Sequence, residues 1–340
     1  MTKSTSNLYF NVWDRVETYP NFLFYIFIGG RGIGKTFSAL WESYSHGKNI
    51  MYLRRTETEL TNCATPVNNP YKKINLVKGT HIELESKGSM ILINDIISED
   101  EKENRGVACA LSTFGKFRGT SFDEIEYIIF DEFIPMVYNK DSLFRNELFY
   151  LYNLVETINR NREIEEGRES VKVLLLANTF NLDSSILTGL NLGHVIHSMV
   201  SNGIEVFTDE DRGIYIELPQ DVPISEKKKN TALYRLSEGS RFYDMSISNE
   251  FKKGTFDDVK VIRDSMLTPF VGYKNVTFYY IKDSDYIYAS YRKNNDVPRY
   301  NDDNFRMFQR EWGAFFMFYI EKHFIYYHNL DVKIAVQNIF

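Results

Sequence analysis

Two clusters of residues in this 340-residue chain have the types and spacing needed to handle a polyphosphate. The first is Gly29-Gly30-Arg31-Gly32-Ile33-Gly34-Lys35-Thr36, which meets the pattern G-x-x-x-x-G-K-[ST] at every required position. Glycines in such a loop let successive backbone amides turn inward on a β-phosphate, and the helix that follows contributes its positive end. Lys35 supplies a point charge for the β- and γ-phosphates, and Thr36 offers a hydroxyl to Mg²⁺. Arg31, inside the loop, reads as a charge clamp or a solvated side chain. The second cluster is Tyr127-Ile128-Ile129-Phe130-Asp131-Glu132, an apolar strand ending in two carboxylates. Asp131 would stand beside the metal, and Glu132 would polarise an attacking water. Together they predict ATP hydrolysis with ATP and Mg²⁺ as cofactors. A glutamate next to the metal aspartate points to a motor-type ATPase, because a switch GTPase usually takes its catalytic residue from elsewhere.

Other residues could extend that site. Val173 to Ala177 is an apolar run ending at Asn178. Beside the strand of Asp131, Asn178 would reach the γ-phosphate or the water and report hydrolysis; otherwise it simply begins a turn. Arg160 and Arg162 end the chain's clearest helix, where basic residues suit the helix dipole. An arginine finger there would act on a neighbouring subunit. Phe114-Gly115-Lys116-Phe117-Arg118-Gly119 reads as a flexible basic loop between core strands. With Lys227-Lys228-Lys229, it offers a nucleic-acid contact or only a solvated charge run. The six histidines show no metal-ligand pattern.

These residues need a frame. Phe22 to Ile28 reads as a buried strand leading into the glycine loop, and Thr36 to His46 as a helix ended by Gly47. Asn49 to Arg55, Val107 to Leu111, Tyr127 to Phe130 and Val171 to Ala177 read as further strands, and Ile82 to Ile93 as a hairpin. Phe144, Leu148, Leu151, Val155 and Ile158 give one apolar helical face. Strands alternating with helices predict a three-layer α/β domain with a mostly parallel sheet over residues 1–224. A charged, linker-like segment at 225–256 and a smaller domain at 257–340 follow. In the latter, Thr277 to Tyr280 and Tyr286 to Tyr291 form a hairpin, and Phe305 to His323 a closing helix.

Bulk properties exclude other classes. With 43% hydrophobic and 25% charged residues, the chain can bury a core and is not disordered. The net charge of −6 argues against an obligate nucleic-acid coat, so any DNA contact should be local. Cys63 and Cys109 are too few for a disulfide framework. The polar N-terminus has no signal-peptide core, and Trp312 to Ile320 is too short to span a bilayer, so a soluble intracellular protein is expected.

With these residues assembled, the chain resembles the DNA encapsidation proteins of small podoviruses, ATPases that drive double-stranded DNA into a preformed capsid. The likeness rests on Ile28 to Lys35, on Tyr52-Leu53-Arg54-Arg55, on Ile129-Phe130-Asp131-Glu132-Phe133-Ile134, and on Arg160-Asn161-Arg162-Glu163 followed by a strand ending in Asn178. It continues more weakly through Tyr215 to Pro219 and Arg235 to Ser246. The resemblance implies an additional-strand, RecA-like ATPase domain in a homo-oligomeric ring, a pentamer, at the portal vertex of the assembling capsid in the host cytoplasm. It makes Asp131 the Mg²⁺ ligand, Glu132 the catalytic base and Arg160 the trans-acting finger, and it matches Lys116 and Arg118 to a pore-facing loop. The α+β C-terminal domain would be a vestigial RNase H-like nuclease without its metal-binding acids, with a prohead RNA as a candidate contact. Glu57 departs from the pattern, since a lysine acting across the subunit interface is expected there. The competing readings are a terminase with an active nuclease, needing carboxylates near Asp257, Asp258, Asp283 or Asp285, and a nucleotide-gated assembly protein.

Overall fold

The structure is a computed structural model that describes residues 8–87, 90–117, 121–134, 147–178, 184–240, 243, 258–337 and 339. It divides into two compact units, Met1–Asn181 with Gly203–Phe251, and Leu182–Asn202 with Lys252–Phe340. Residues 182–202, expected in the first domain, therefore belong with the second.

The first unit is built on a sheet of nine described strands. In chain order these are β1 (Phe24–Gly29), β2 (Ile50–Arg54), β3 (Ile82–Lys87), β4 (Met90–Ile96), β5 (Lys102–Ala110), β6 (Tyr127–Asp131), β7 (Lys172–Asn178), β8 (Val206–Asp209) and β9 (Ile214–Glu217). Their spatial order is β3-β4-β5-β2-β6-β7-β1-β9-β8. The inner run β5-β2-β6-β7-β1-β9 is parallel throughout, and an antiparallel hairpin closes each edge. Strands covered on both faces need continuous apolar runs. Accordingly β1 and β2 are buried at every position, and β7 is buried from Val173 to Ala177. The expected helix after the glycine loop spans Lys35–Ser45, and Gly47 beyond it takes a left-handed φ of 64°. Phe10, Phe22, Tyr25, Phe27 and Tyr215 pack together, so part of the high aromatic content fills this core.

Parallel strands place their C-terminal ends along one edge, where α/β sheets bind ligands. Register sets which ends meet. Gly29 lies opposite Asn178, and Asp131 opposite Leu176. The glycine loop, the acidic pair and Asn178 thus leave three adjacent strands on the same side.

Two expectations need correction. The segment Phe114 to Gly119, expected as a flexible loop, begins within a 3₁₀ helix, Leu111–Phe117, anchored by the buried rings of Phe114 and Phe117, and its last two residues lie outside the described residues. The stretch expected as a linker starts as helices Pro223–Lys229 and Ala232–Leu236 of the first unit. Val222 is buried in the core there, and the Ile224 amide donates to the Leu8 carbonyl at 3.0 Å. Apolar anchors ahead of the lysine run hold it against the domain.

Arg55 follows β2 and is 1% exposed. Its Nε donates to Glu147 Oε1 at 2.9 Å, and Glu147, at the start of helix Glu147–Asn159, is also buried. Removing one partner of a buried ion pair leaves a charge without compensation, at a cost of about 3–5 kcal/mol. Glu147→Ala should therefore destabilise the protein by that amount, measured as a lower urea midpoint, whereas an unchanged midpoint would contradict a structural role for the pair.

The second unit has a five-stranded sheet of β10 (Leu267–Tyr273), β11 (Val276–Ile281), β12 (Ile287–Ser290), β13 (Arg299–Tyr300) and β14 (Ile325–Tyr327), ordered β13-β10-β11-β12-β14. β10, β11 and β12 form an antiparallel meander, with β13 parallel to β10 and β14 parallel to β12. The expected hairpin pairs Tyr280 with Ile287. Helix Phe305–Glu321 packs Phe308 and Phe316 into this core, but it does not close the chain, because β14 and helix Leu330–Gln337 follow. The buried carboxylate of Asp331 accepts from the Gly193 amide at 3.1 Å, satisfying an amide at the start of helix Gly193–Asn202. That bond helps explain why residues 182–202 group here.

Candidate active site

The glycine loop is shaped by backbone demands that only glycine meets. Gly34 has φ of 116°, and a Cβ there would lie 2.9 Å from the Phe10 carbonyl oxygen. The N-terminal segment lies against the loop from outside, with the Phe10 amide donating to the Ile33 carbonyl at 2.9 Å. Nothing in the polar N-terminal sequence suggested this brace.

Lys35 begins the helix and is 6% exposed. Its ammonium donates to the carbonyls of Gly29 and Gly30, each at 2.9 Å, and to Asn178 Oδ1 at 3.3 Å. Burial depresses its pKa to about 7, a shift opposed by nearby Asp131 and Glu132 and assisted by Lys228. A phosphate drawn into the loop would favour the charged form instead.

The Thr36 hydroxyl donates to Asp131 Oδ1 at 2.9 Å. Asp131 Oδ2 accepts from the Tyr52 hydroxyl at 3.1 Å and lies 3.6 Å from Arg54 Nη1. Burial raises the Asp131 pKa, and Arg54 opposes the shift. A hydroxyl and a carboxylate this close are hard oxygen donors that fit Mg²⁺, which is commonly held by one or two such protein groups together with substrate phosphates.

Glu132 sits just past β6 with φ of 55°, a left-handed conformation that is uncommon away from glycine. Its Oε2 accepts from Arg54 Nη2 at 2.7 Å. Tyr52, in the middle of β2, and Arg54, at its end, are the residues that sequence reasoning left without a role. A usable signal was present: an arginine at the C-terminal end of an apolar strand has to be matched by an acid, and β2 pairs directly with β6, Leu53 lying opposite Phe130.

The remaining residues are distributed differently. Arg160 follows helix Glu147–Asn159, with φ of 38° and its Nη1 3.7 Å from Asp123 Oδ1. The Asn159 side chain binds the amide of Val171, just before β7, whereas Asn178 ends that strand. Seven strand residues put Arg160 roughly 20 Å from its own phosphate loop. Arg162 is buried, donating to the carbonyls of Ile125 and Ile158 at 2.9 and 3.2 Å. Lys116 is exposed, with Nζ 3.4 Å from Glu57 Oε2, so the departure at Glu57 pairs with a residue of the basic segment. Arg118 lies outside the described residues. Lys229 pairs with Glu226, Lys227 is on the same helix, and Lys228 turns to the Arg31 carbonyl.

Comparison with known proteins places this geometry in context. A family model described as Podovirus DNA encapsidation protein (Gp16) matches residues 2–299. The DNA packaging protein of Bacillus phage phi29 is 26% identical over 249 residues, which are 72% of this chain and 66% of that protein. The match thus spans just under two thirds of the relative's length. A solved structure of the bacteriophage Phi-29 viral genome packaging motor assembly superposes with a TM-score of 0.62 at 20% identity, covering 98% of each chain. The Phi-28 gp11 DNA packaging motor gives a TM-score of 0.62 at 17% identity, covering 97% of this chain and 96% of that one. Both superpositions speak for a shared fold.

Proposed function

The chain belongs to the podovirus DNA encapsidation protein family, and from that premise we propose that it is an ATP-hydrolysing motor moving double-stranded DNA into a preformed capsid. The observation that carries this reading is the convergence of Lys35, Thr36, Asp131 and Glu132 at the C-terminal ends of adjacent parallel strands.

In this reading Gly29 to Thr36 cradle the phosphates, with Arg31 beside them and Lys35 moving from the loop carbonyls to the β- and γ-phosphates. Thr36 and Asp131 hold Mg²⁺, which supplies charge neutralisation at the phosphates. Glu132 accepts the proton of the attacking water. In the structure its carboxylate is engaged by Arg54, so turnover requires that ion pair to open. Asn178, bonded to Lys35 at one end of β7, reports the state of the phosphates along that strand. Arg160, too far from its own site, completes a neighbour's.

The motor is a homo-oligomeric ring, a pentamer, at the portal of the procapsid in the host cytoplasm. Among the described residues no helix is long and apolar enough to cross a membrane. Of the five basic residues expected to contact DNA, Lys116, Arg118 and Lys227 keep that role in this reading, whereas Lys229 pairs with Glu226 and Lys228 with the Arg31 carbonyl. The second unit is a vestigial RNase H-like domain without nuclease activity, and a prohead RNA is its candidate partner. Support comes from Asp258, whose carboxylate is held by Lys333 at 2.7 Å. Asp257 lies outside the described residues.

Phosphate release measured with and without Mg²⁺ and double-stranded DNA tests the proposal. Turnover should require Mg²⁺ and rise with DNA, and a protein that binds ATP without DNA-stimulated turnover would favour an assembly role instead. Mn²⁺-dependent nicking of plasmid would contradict the absence of nuclease activity. Arg54→Gln should narrow the ratio of DNA-stimulated to basal turnover, because it frees Glu132 in advance. An unchanged ratio would show that the Arg54 pair does not gate the reaction.

A further inference from the structure

Lys228 stands apart from the lysines on either side of it. It is the next-to-last residue of helix Pro223–Lys229, and its ammonium donates to the Arg31 carbonyl in the middle of the glycine loop. A Cβ on Gly32 would lie 3.1 Å from Lys228 Nζ, so the side chain rests directly on the loop backbone. An ammonium has three N–H donors, and the Arg31 carbonyl accepts one of them. Among the described residues no carboxylate pairs with Lys228, in contrast to Lys229 and Glu226. The protein therefore holds a second cation beside Lys35 at a loop whose amides favour anions. Two like charges in a partly dry site repel, and the arrangement becomes favourable when a polyanion lies between them.

We propose that Lys228 is a second phosphate-binding lysine of the same subunit, engaging the terminal phosphates of the bound nucleoside triphosphate. The inference rests on the ATPase reading above and adds to it a residue outside the motif, contributed by the helix after β9. Partial burial lowers the Lys228 pKa, consistent with an ammonium that gains from a phosphate partner. Lys228 then leaves the Arg31 carbonyl when a triphosphate binds and returns when the terminal phosphate departs. Its helix lies in the sequence segment that runs on toward the second unit, so the exchange gives that segment a nucleotide-dependent anchor. The glycine at position 32 is part of the device, since its missing Cβ gives the lysine close access to the loop.

The test is equilibrium binding of a fluorescent non-hydrolysable ATP analogue and of fluorescent ADP, with Mg²⁺, to the unaltered protein and to K228A, K228Q and K228R. Charge-assisted hydrogen bonds are strong enough that K228A and K228Q should weaken analogue binding about tenfold. ADP binding should change much less, and K228R should retain most of the analogue affinity. Far-UV circular dichroism and the thermal midpoint identify any variant that fails to fold, and the remaining variants carry the comparison. Unchanged analogue affinity in K228A and K228Q would overturn the proposal, and so would equal losses for analogue and ADP. If the unaltered protein bound neither nucleotide, the ATPase reading itself would fail, an outcome distinct from a failure of Lys228.

Discussion

Arg160→Ala should reduce ATP turnover in assembled rings by about 10³-fold or more, the scale on which arginine fingers act. It should leave nucleotide binding by the separate subunit unchanged. Both halves of this expectation follow from position. Arg160 sits at the start of the connection into β7, whereas the phosphate loop lies at that strand's other end, roughly 20 Å away. No rotamer of an arginine spans that distance, so the side chain does not reach its own phosphate loop, and the role proposed for it is at a neighbour's site. Its Nη1 lies 3.7 Å from Asp123 Oδ1, and both side chains are about half exposed. The neighbouring Arg162 makes a useful control, because it is buried and spends its donors on the carbonyls of Ile125 and Ile158. Replacing Arg162 should cost stability instead. Mixing Arg160→Ala subunits with unaltered ones separates the cases. A trans-acting finger predicts that a minority of altered subunits silences most rings, whereas a decline in strict proportion to the altered fraction would contradict it.

The second large effect is expected at Glu132. Glu132→Gln keeps the shape of the side chain and removes its ability to take a proton, which should lower turnover by about 10²–10⁴-fold. ATP and Mg²⁺ should still bind, because Lys35, Thr36 and Asp131 remain in place. The substitution also weakens the ion pair with Arg54, so Arg54 is freed to approach Asp131 more closely. Phosphate release alongside nucleotide affinity reads both consequences. Full turnover in Glu132→Gln would remove the residue from the chemistry, and lost ATP binding would make its role structural.

Much of the first unit was legible because its signals are local. Residues 29–36 and 127–132 carry their own spacing, and buried parallel strands need apolar runs that are visible without a partner. The helix after the loop was displaced by one residue at each end. What escaped notice depends on contacts between distant parts of the chain. Arg54 gains meaning only when β2 lies beside β6, and Phe10 only when the N-terminal segment folds over Ile33. Lys228 read as one of three equivalent lysines, a nucleic-acid contact or a solvated charge, since nothing in Glu-Lys-Lys-Lys-Asn shows which lysine faces inward. The short β8–β9 hairpin, which adds a strand beside β1, also passed unnoticed, because four-residue strands have little periodicity to read. Residues 182–202 were assigned by their place in sequence, whereas the buried Asp331 ties them to a helix more than a hundred residues later.

The most direct measurement of the central claim is ATP-dependent uptake of double-stranded DNA into purified empty capsids, with this protein as the only added ATPase and nuclease protection as the readout. The account predicts protected DNA that accumulates with ATP and Mg²⁺, and none with Glu132→Gln. Protection that appears without ATP, or that survives Glu132→Gln unchanged, would contradict it.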